Sequence, residues 1–382
     1  MYLNHLTLHN FRNYTHMSLD LGASPVILVG RNGAGKTNIL EAISFLIPGR
    51  GLRRAHMSEI DRNGHPDGWG VVAQVQGPQE TVEIITGREG GDAGGEKRVV
   101  KIEGKPVKSQ QELSRYVSML WLIPAMDHLF TDTDSNRRKF LDRLVFTFTP
   151  DHASNVNRYE HAMRERNKLL EHAAFDPAWV GVLEDTMVEA GMLVAKARLE
   201  TVEHLNHSIA GSTLSFPKAR ITLKGFAEDL LQQQVDAQEI ASRAKAKLVQ
   251  MRGVDAAAGR CLFGLHRCEM HTLFDTRATP AAQCSTGEQK ALLLSIVLGQ
   301  TRAVKKRFGV APILLLDEVV AHLDASRRAE LASAIMDLGS QAFLTGTDAD
   351  FFTDFESRAQ PFEVLSGKVQ IYPQKTHLKS AV

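Results

Sequence analysis

Two short motifs, set far apart, constrain this chain more than anything else in it. Gly30-Arg31-Asn32-Gly33-Ala34-Gly35-Lys36-Thr37 stands near the N-terminus, and Cys284-Ser285-Thr286-Gly287-Glu288-Gln289 follows about 250 residues later. Ile313-Leu314-Leu315-Leu316-Asp317-Glu318 and then Leu323-Asp324 come shortly after the second motif. Each piece alone is an incomplete anion or metal site, so the fold must gather distant segments around one sheet. The intervening stretch is long enough to hold a domain of its own.

The first motif has a direct physical reading. Val26 to Val29 is an unbroken apolar run, as suits a buried strand. The glycines after it permit a tight turn whose backbone N–H groups converge on an anion. Lys36 adds a point charge for the β- and γ-phosphates, and the Thr37 hydroxyl suits Mg²⁺. Asn38 to Leu46 continues with helical apolar spacing, which aims a positive helix N-terminus at the phosphates. Gly30, Arg31, Asn32, Gly33, Ala34, Gly35, Lys36, Thr37 and Asn38 are therefore expected to bind a nucleotide, with ATP and Mg²⁺ as cofactors. A glycine-rich turn matching by chance would lack the strand before it and the helix after it.

The second set supplies acids. Ile313 to Leu316 is an apolar strand ending in two carboxylates, of which Asp317 would orient Mg²⁺ and Glu318 would act as general base toward the γ-phosphate. Ser285 opens a helix from Gly287 to Leu298, and its hydroxyl with the helix dipole suits a γ-phosphate presented from outside. Taken alone, Ser285 suits an ordinary N-cap equally well.

The signature helix, the acidic pair and the following Leu-Asp resemble the ABC-type ATPase superfamily. In transporter members the two motifs lie far closer together, and in SMC members a long coiled coil separates them. Between those extremes the chain resembles the RecF family of bacterial recombination mediators. Leu6 to Tyr14, with its Asn-Phe-Arg-Asn-Tyr, is similar to that family's opening. Asn136 to Asp142 is similar to its Arg-Arg-x-Phe-Leu-Asp, and Arg166 to Leu170 to its Arg-Asn-x-Leu-Leu. Gly264-Leu265-His266-Arg267-Cys268-Glu269 departs from the family's Gly-Pro-His-Arg-Asp-Asp, and Glu318 stands where the family often has Asp.

The resemblance implies an ABC-type head with an antiparallel β subdomain and an inserted, mainly helical second lobe. It implies a slow, DNA-stimulated ATPase that dimerises on ATP. Ser285, Gly287 and Gln289 of one copy would meet the nucleotide of the other, and Asp324 would couple the two sites. It further implies binding to duplex or gapped DNA without sequence preference, partnership with RecR and indirectly RecO, and roles in gap repair and SOS induction. Thr345 and Thr347 lie near the place where transporter relatives carry a γ-phosphate-sensing His, absent here. A transporter's nucleotide-binding subunit, or a signalling ATPase of the same type, is the alternative. The long insertion and the Asn-Phe-Arg-Asn-Tyr opening speak against it.

Net charge is +1, from 45 Lys and Arg against 44 Asp and Glu, so a DNA surface has to come from local clusters. Arg50, Arg53 and Arg54 form one cluster, Arg137, Arg138 and Lys139 another, and Lys305, Lys306 and Arg307 a third. Each also reads as a solvated face. Cys261, Cys268 and Cys284 lack paired metal-ligand spacing and read as reduced thiols. No stretch reaches the roughly 20 apolar residues of a membrane span, and the N-terminus alternates like a strand rather than a leader. A cytoplasmic location is expected.

Two lobes are expected: 1–110 with 280–382 as the ATPase lobe, and 111–279 as the helical one. Trp69 to Gln76, Glu80 to Thr86 and Arg98 to Ile102 read as antiparallel strands, joined in part by a glycine-rich connection from Gly87 to Glu96. The pattern turns helical from Ser109. Helices are expected over Asn155 to Ala173 and Ala178 to Ile209, broken at Asp176-Pro177. A short β excursion spans Ser212 to Gly225, a further helix Ala227 to Arg252, and a late strand Gln341 to Leu344.

Overall fold

The computed structural model describes residues 1–62, 68–89, 97–171 and 175–372. It divides into two compact units, Met1–Ala125 with Lys305–Val382, and Met126–Val304. The first unit opens with β1 (Tyr2–Phe11), β2 (Tyr14–Asp20), β3 (Val26–Val29) and α1 (Lys36–Ser44). It continues through β4 (Gly68–Gln76), β5 (Thr81–Glu89), β6 (Arg98–Ile102), β7 (Lys105–Pro106) and β8 (Met119–Leu122). The second unit carries α2 (Asp134–Phe146), α3 (His152–Leu170), α4 (Pro177–Ala210), β9 (Ala219–Lys224), α5 (Phe226–Gln232) and α6 (Ala237–Ala258). After β10 (Glu269–Phe274) and β11 (Thr279–Pro280) comes α7 (Thr286–Phe308), within which the division falls. The chain closes with β12 (Ile313–Leu316), α8 (Ala325–Leu338), β13 (Ala342–Gly346), β14 (Gln360–Leu365) and β15 (Lys368–Ile371).

The first unit holds two six-stranded sheets. One has the order β15-β14-β3-β13-β12-β8 and is parallel except for β15. All four residues of β3 and all four of β12 are buried, which is why both read as continuous apolar runs rather than alternating ones. β13 lies between them. The turn after β3 and the turn after β12 therefore emerge at the same carboxyl end of the sheet, flanking the end of β13. The other sheet, β2-β1-β4-β5-β6-β7, is antiparallel throughout and contains the three strands expected between residues 69 and 102. Gly87 belongs to β5, where any side chain would collide with the Trp69 carbonyl. The remainder of the expected connection, 90–96, lies outside the described residues.

Several expectations need correction. The stretch after Ser109 is not uniformly helical, because Met119–Leu122 is a strand pairing parallel with β12 from Ile313↔Met119 to Leu316↔Leu122. Four apolar residues in a row are too few to show a period, so pairing with β12 decides their conformation. The first unit accordingly runs to Ala125 rather than 110. At the other end, the second unit runs to Val304 rather than 279, since the signature helix is anchored within it. Gln300 donates to the Leu144 carbonyl at 3.0 Å and to the Thr147 hydroxyl at 2.8 Å, while Ser208 donates to the Gly299 carbonyl at 2.8 Å.

In the second unit, Asp176 caps α4 by accepting from Ala178 N–H at 2.8 Å, and Pro177 sits in the first helical turn. The helix expected over 227–252 is two helices. Gln234 takes a left-handed φ of 62°, and Asp236 restarts the helix by accepting from Gln238 N–H and Glu239 N–H at 2.8 and 3.2 Å. Tyr159, Met187, Ala190, Ile240 and Leu248 form part of a core drawn from α3, α4 and α6. Inside it, Arg166 is fully buried and bonds Glu184 at 3.0 Å, Asp255 at 2.7 Å and the Leu248 carbonyl at 2.9 Å. The Arg166 and Asp142 motifs of the sequence are thus the centres of buried ion networks.

Candidate nucleotide site

The turn between β3 and α1 is built by its glycines and held from both sides. Gly33 and Gly35 take φ values of 79° and 116°. A Cβ at Gly35 would meet Asn13 Nδ2 at 2.5 Å and Tyr14 Oη at 2.6 Å, so this position has no room for any side chain. Asn13 donates to the Ala34 carbonyl at 3.0 Å, Tyr14 to the Gly35 carbonyl at 3.1 Å, and Asn38 to Asn13 Oδ1 at 2.7 Å. The hairpin between β1 and β2 is therefore a brace for the phosphate loop. Burial pushes the Tyr14 phenol pKa upward, keeping it a donor. Lys36 is buried and donates to the Gly30 and Arg31 carbonyls at 2.7 and 3.1 Å, folding the loop over its ammonium. Burial lowers its pKa, against the pull of Glu318 and Asp317.

The acid pair meets this loop across 280 residues of sequence. Thr37 donates to Asp317 Oδ2 at 2.9 Å and reaches Oδ1 at 3.1 Å. Thr345, wholly buried near the end of β13, donates to Asp317 Oδ1 at 2.7 Å and accepts from Glu318 N–H at 2.9 Å. Glu318 itself has a left-handed φ of 55°, rare for a residue with a Cβ. The Thr37 hydroxyl and the Asp317 carboxylate are hard oxygen donors side by side, a set that fits Mg²⁺.

The signature turn shows another arrangement. Ser285 donates through both N–H and Oγ to Glu288 Oε2, at 2.9 and 2.8 Å, and its Oγ accepts from Glu288 N–H at 3.3 Å. This is a capping box, closed further by Arg277 on Glu288 Oε1 at 2.5 Å. Hydrogen bonds from Ser285 draw the half-buried Glu288 carboxyl below its usual range. Gly287 faces open space, and Gln289 Nε2 donates to the Cys284 carbonyl at 2.9 Å. Asp324 caps α8 by accepting from Arg327 N–H at 2.9 Å.

The family model for the RecF/RecN/SMC N-terminal domain matches residues 2–368. The DNA replication and repair protein RecF of Rhizobium meliloti is 44% identical over 97% of this chain and 98% of that protein. The RecF of Agrobacterium fabrum is 45% identical over 96% and 98%. The chain belongs to the RecF family. Among solved structures, the recombination mediator protein RecF-ATPrS superposes with a TM-score of 0.84 at 23% identity, covering 97% of this chain and 98% of that one. An SmcHead bound to the C-winged helix domain of ScpA gives 0.56 at 15%, with 97% of each chain covered. The fold is that of an ABC-type ATPase head with an inserted lobe, as its sequence led us to expect.

The basic clusters separate once placed in this RecF-family fold. Arg50, Arg53 and Arg54 are exposed, although Arg53 also bonds Asn38 at 3.2 Å and approaches Glu41 at 3.7 Å. Arg137 is turned onto Asp134 and the Asp132 carbonyl, and half-buried Arg138 donates to the Cys268 carbonyl at 3.0 Å. Both make these bonds within their own unit. Lys305 donates to the Asp337 carbonyl at 3.1 Å. His266, in the loop that departs from the family pattern, is held by Tyr159 at 2.9 Å and the Cys261 carbonyl at 3.1 Å, and burial drives its pKa down to about 4. Asn13, Tyr14 and the Arg12–Glu41 pair (2.8 Å) were given no site role by the sequence. The Asn-Phe-Arg-Asn-Tyr run was the signal that could have found them. Among the described residues, no helix is long and apolar enough to cross a membrane, and no group of three or more His, Cys, Asp or Glu could hold a metal.

Proposed function

We propose that this chain is an ATP-dependent DNA-binding protein that acts in recombinational repair of single-strand gaps, in the cytoplasm. ATP is held by Gly30 to Asn38, with Lys36 on the β- and γ-phosphates. Thr37 and Asp317 would hold Mg²⁺, which when bound neutralises phosphate charge. Glu318 takes the proton of the attacking water. Ser285, Gly287 and Gln289 of a second copy cap the γ-phosphate, so that ATP favours the dimer by mass action, and Asp324 links the two sites. DNA is gripped through its backbone, with Arg50, Arg53 and Arg54 the leading contacts and Arg137 and Arg138 secondary ones. RecR, and RecO through it, are the proposed partners.

The single observation that carries this reading is the bonding of Thr37 and Thr345 to Asp317, which joins the phosphate loop to the acid pair at one sheet end. Identity near 45% along almost the whole chain to DNA replication and repair proteins supports the DNA role. Light scattering without nucleotide, with ADP and with ATP, each with and without a short duplex, tests it. The expected result is an ATP-specific monomer-to-dimer shift, with duplex retained by the dimer and lost in Ser285→Arg. A mass indifferent to ATP would overturn the reading.

A further inference from the structure

Thr345 occupies a position that the proposed chemistry leaves without a role. It lies on β13, the strand between the phosphate-loop strand and the acid-pair strand, and is wholly buried, so it is not a group that meets substrate. A threonine hydroxyl has one proton and two lone pairs. Glu318 N–H donates to it at 2.9 Å, so the oxygen accepts there, and its single proton goes to Asp317 Oδ1 at 2.7 Å. The roles are forced by chemistry. The next residue, Gly346, accepts from Gly30 N–H at 3.2 Å, so the same end of β13 also touches the start of the phosphate loop.

Glu318 needs such a tether. Its φ of 55° is a conformation that a residue with a side chain holds only where its surroundings over-determine it. Its backbone N–H, fixed by Thr345, is one such restraint. Asp317 in turn is gripped by two hydroxyls, that of Thr345 and that of Thr37, the residue proposed to bind Mg²⁺. Were Asp317 to shift as Thr37 and Asp317 took up a metal, the shift would reach the backbone of Glu318 through the Thr345 oxygen.

We infer that Thr345 is a positioning residue that locks Asp317 and Glu318 to each other, coupling the general base to the occupancy of the metal shell. It supplies by a buried hydroxyl the link between sheet and γ-phosphate chemistry for which this chain has no histidine at the strand end. The inference rests on the ATPase reading above.

Thr345→Val, which keeps the shape and removes the hydroxyl, is compared with Thr345→Ser and the unaltered chain. ATP affinity is titrated with and without Mg²⁺, and hydrolysis is followed in a single turnover. The valine variant should bind metal-free ATP within about threefold of the unaltered chain, because no nucleotide contact is removed. Its hydrolysis should fall about 10- to 100-fold, the scale of one buried group left unsatisfied, and more Mg²⁺ should be needed for half-maximal binding. Serine should restore both. An unchanged rate with an unchanged Mg²⁺ midpoint in the valine variant overturns the inference while leaving the ATPase reading intact. An unaltered chain that binds no ATP overturns both. If the valine variant does not fold, Thr345→Cys, a far weaker donor, replaces it, and the same unchanged rate and midpoint would be fatal.

Discussion

The phosphate loop with its acid pair, and the signature turn, differ in how finished they are. Around the first, Lys36, Thr37, Thr345 and Asp317 are already bonded within one unit. Lys36 closes the loop, Thr37 and Thr345 share Asp317, and the Asn13–Tyr14 hairpin leaves no space beside Gly35. At the second, Ser285 turns its hydroxyl and its N–H onto the Glu288 carboxylate of its own helix, and Gly287 faces open space. The lesson is physical. The loop and acid pair are preorganised by burial, whereas the exposed helix N-terminus satisfies its donors with a carboxylate one turn along.

If that contrast is right, removing the base should have the largest effect. Glu318→Gln is expected to lower phosphate release by about 10²- to 10⁴-fold, the range of general-base catalysis, while keeping ATP bound and the dimer populated. A variant that hydrolyses at the original rate would remove Glu318 from the chemistry.

Next in size is a prediction for the second unit, whose buried charges should matter to stability rather than to nucleotide. Asp142 accepts from Arg198 Nε at 2.8 Å and Nη2 at 3.0 Å and is bonded to His152 at 2.8 Å. Burial alone would raise its pKa, but Arg198 and His152 hold it at about 2, below its ordinary 3.8. Because the folded value is depressed, its contribution is complete above pH 3.8 and is lost as pH falls through about 2. Asp142→Asn should destabilise the unit by about 3 kcal/mol at neutral pH by removing the carboxylate charge that Arg198 and His152 share, and should flatten the acid limb of the denaturation curve. A melting temperature unchanged at pH 7 would refute the buried pairing.

Lys36→Ala should weaken ATP binding by at least about tenfold in titration calorimetry, the scale of losing charge-assisted bonds. Retained affinity would break the phosphate-loop assignment. The smallest effect should come from the brace. Asn13→Ala removes the bond to the Ala34 carbonyl and should cost about 1 kcal/mol of ATP binding, seen as a several-fold weaker affinity with unchanged hydrolysis of bound ATP. A loss as large as that of Lys36→Ala would mean that the hairpin touches nucleotide directly.

Part of this architecture is legible in the amino-acid sequence. β3, β12 and the glycine turn announce themselves because burial on both faces enforces unbroken apolar runs, and a turn with φ of 116° at Gly35 favours glycine. Asp176-Pro177 announces the start of α4, since proline fits the first helical turn and breaks what precedes it. β8 does not announce itself, because four apolar residues carry no period, and neither does the break between α5 and α6 at Gln234. Arg137 and Arg138 look like a free basic patch because sequence shows charge but not whether Asp134 or the Cys268 carbonyl has already taken it.

Residue type and local spacing were enough to mark a glycine turn between a strand and a helix, a strand ending in two carboxylates, and a long stretch between them. Folding in three dimensions was needed to bring Thr345 and Asn13 to the site and to hold Glu318 in a left-handed backbone. Hydrogen bonds between residues of separate strands and turns, or a backbone held by another strand, leave no period or composition behind in the chain.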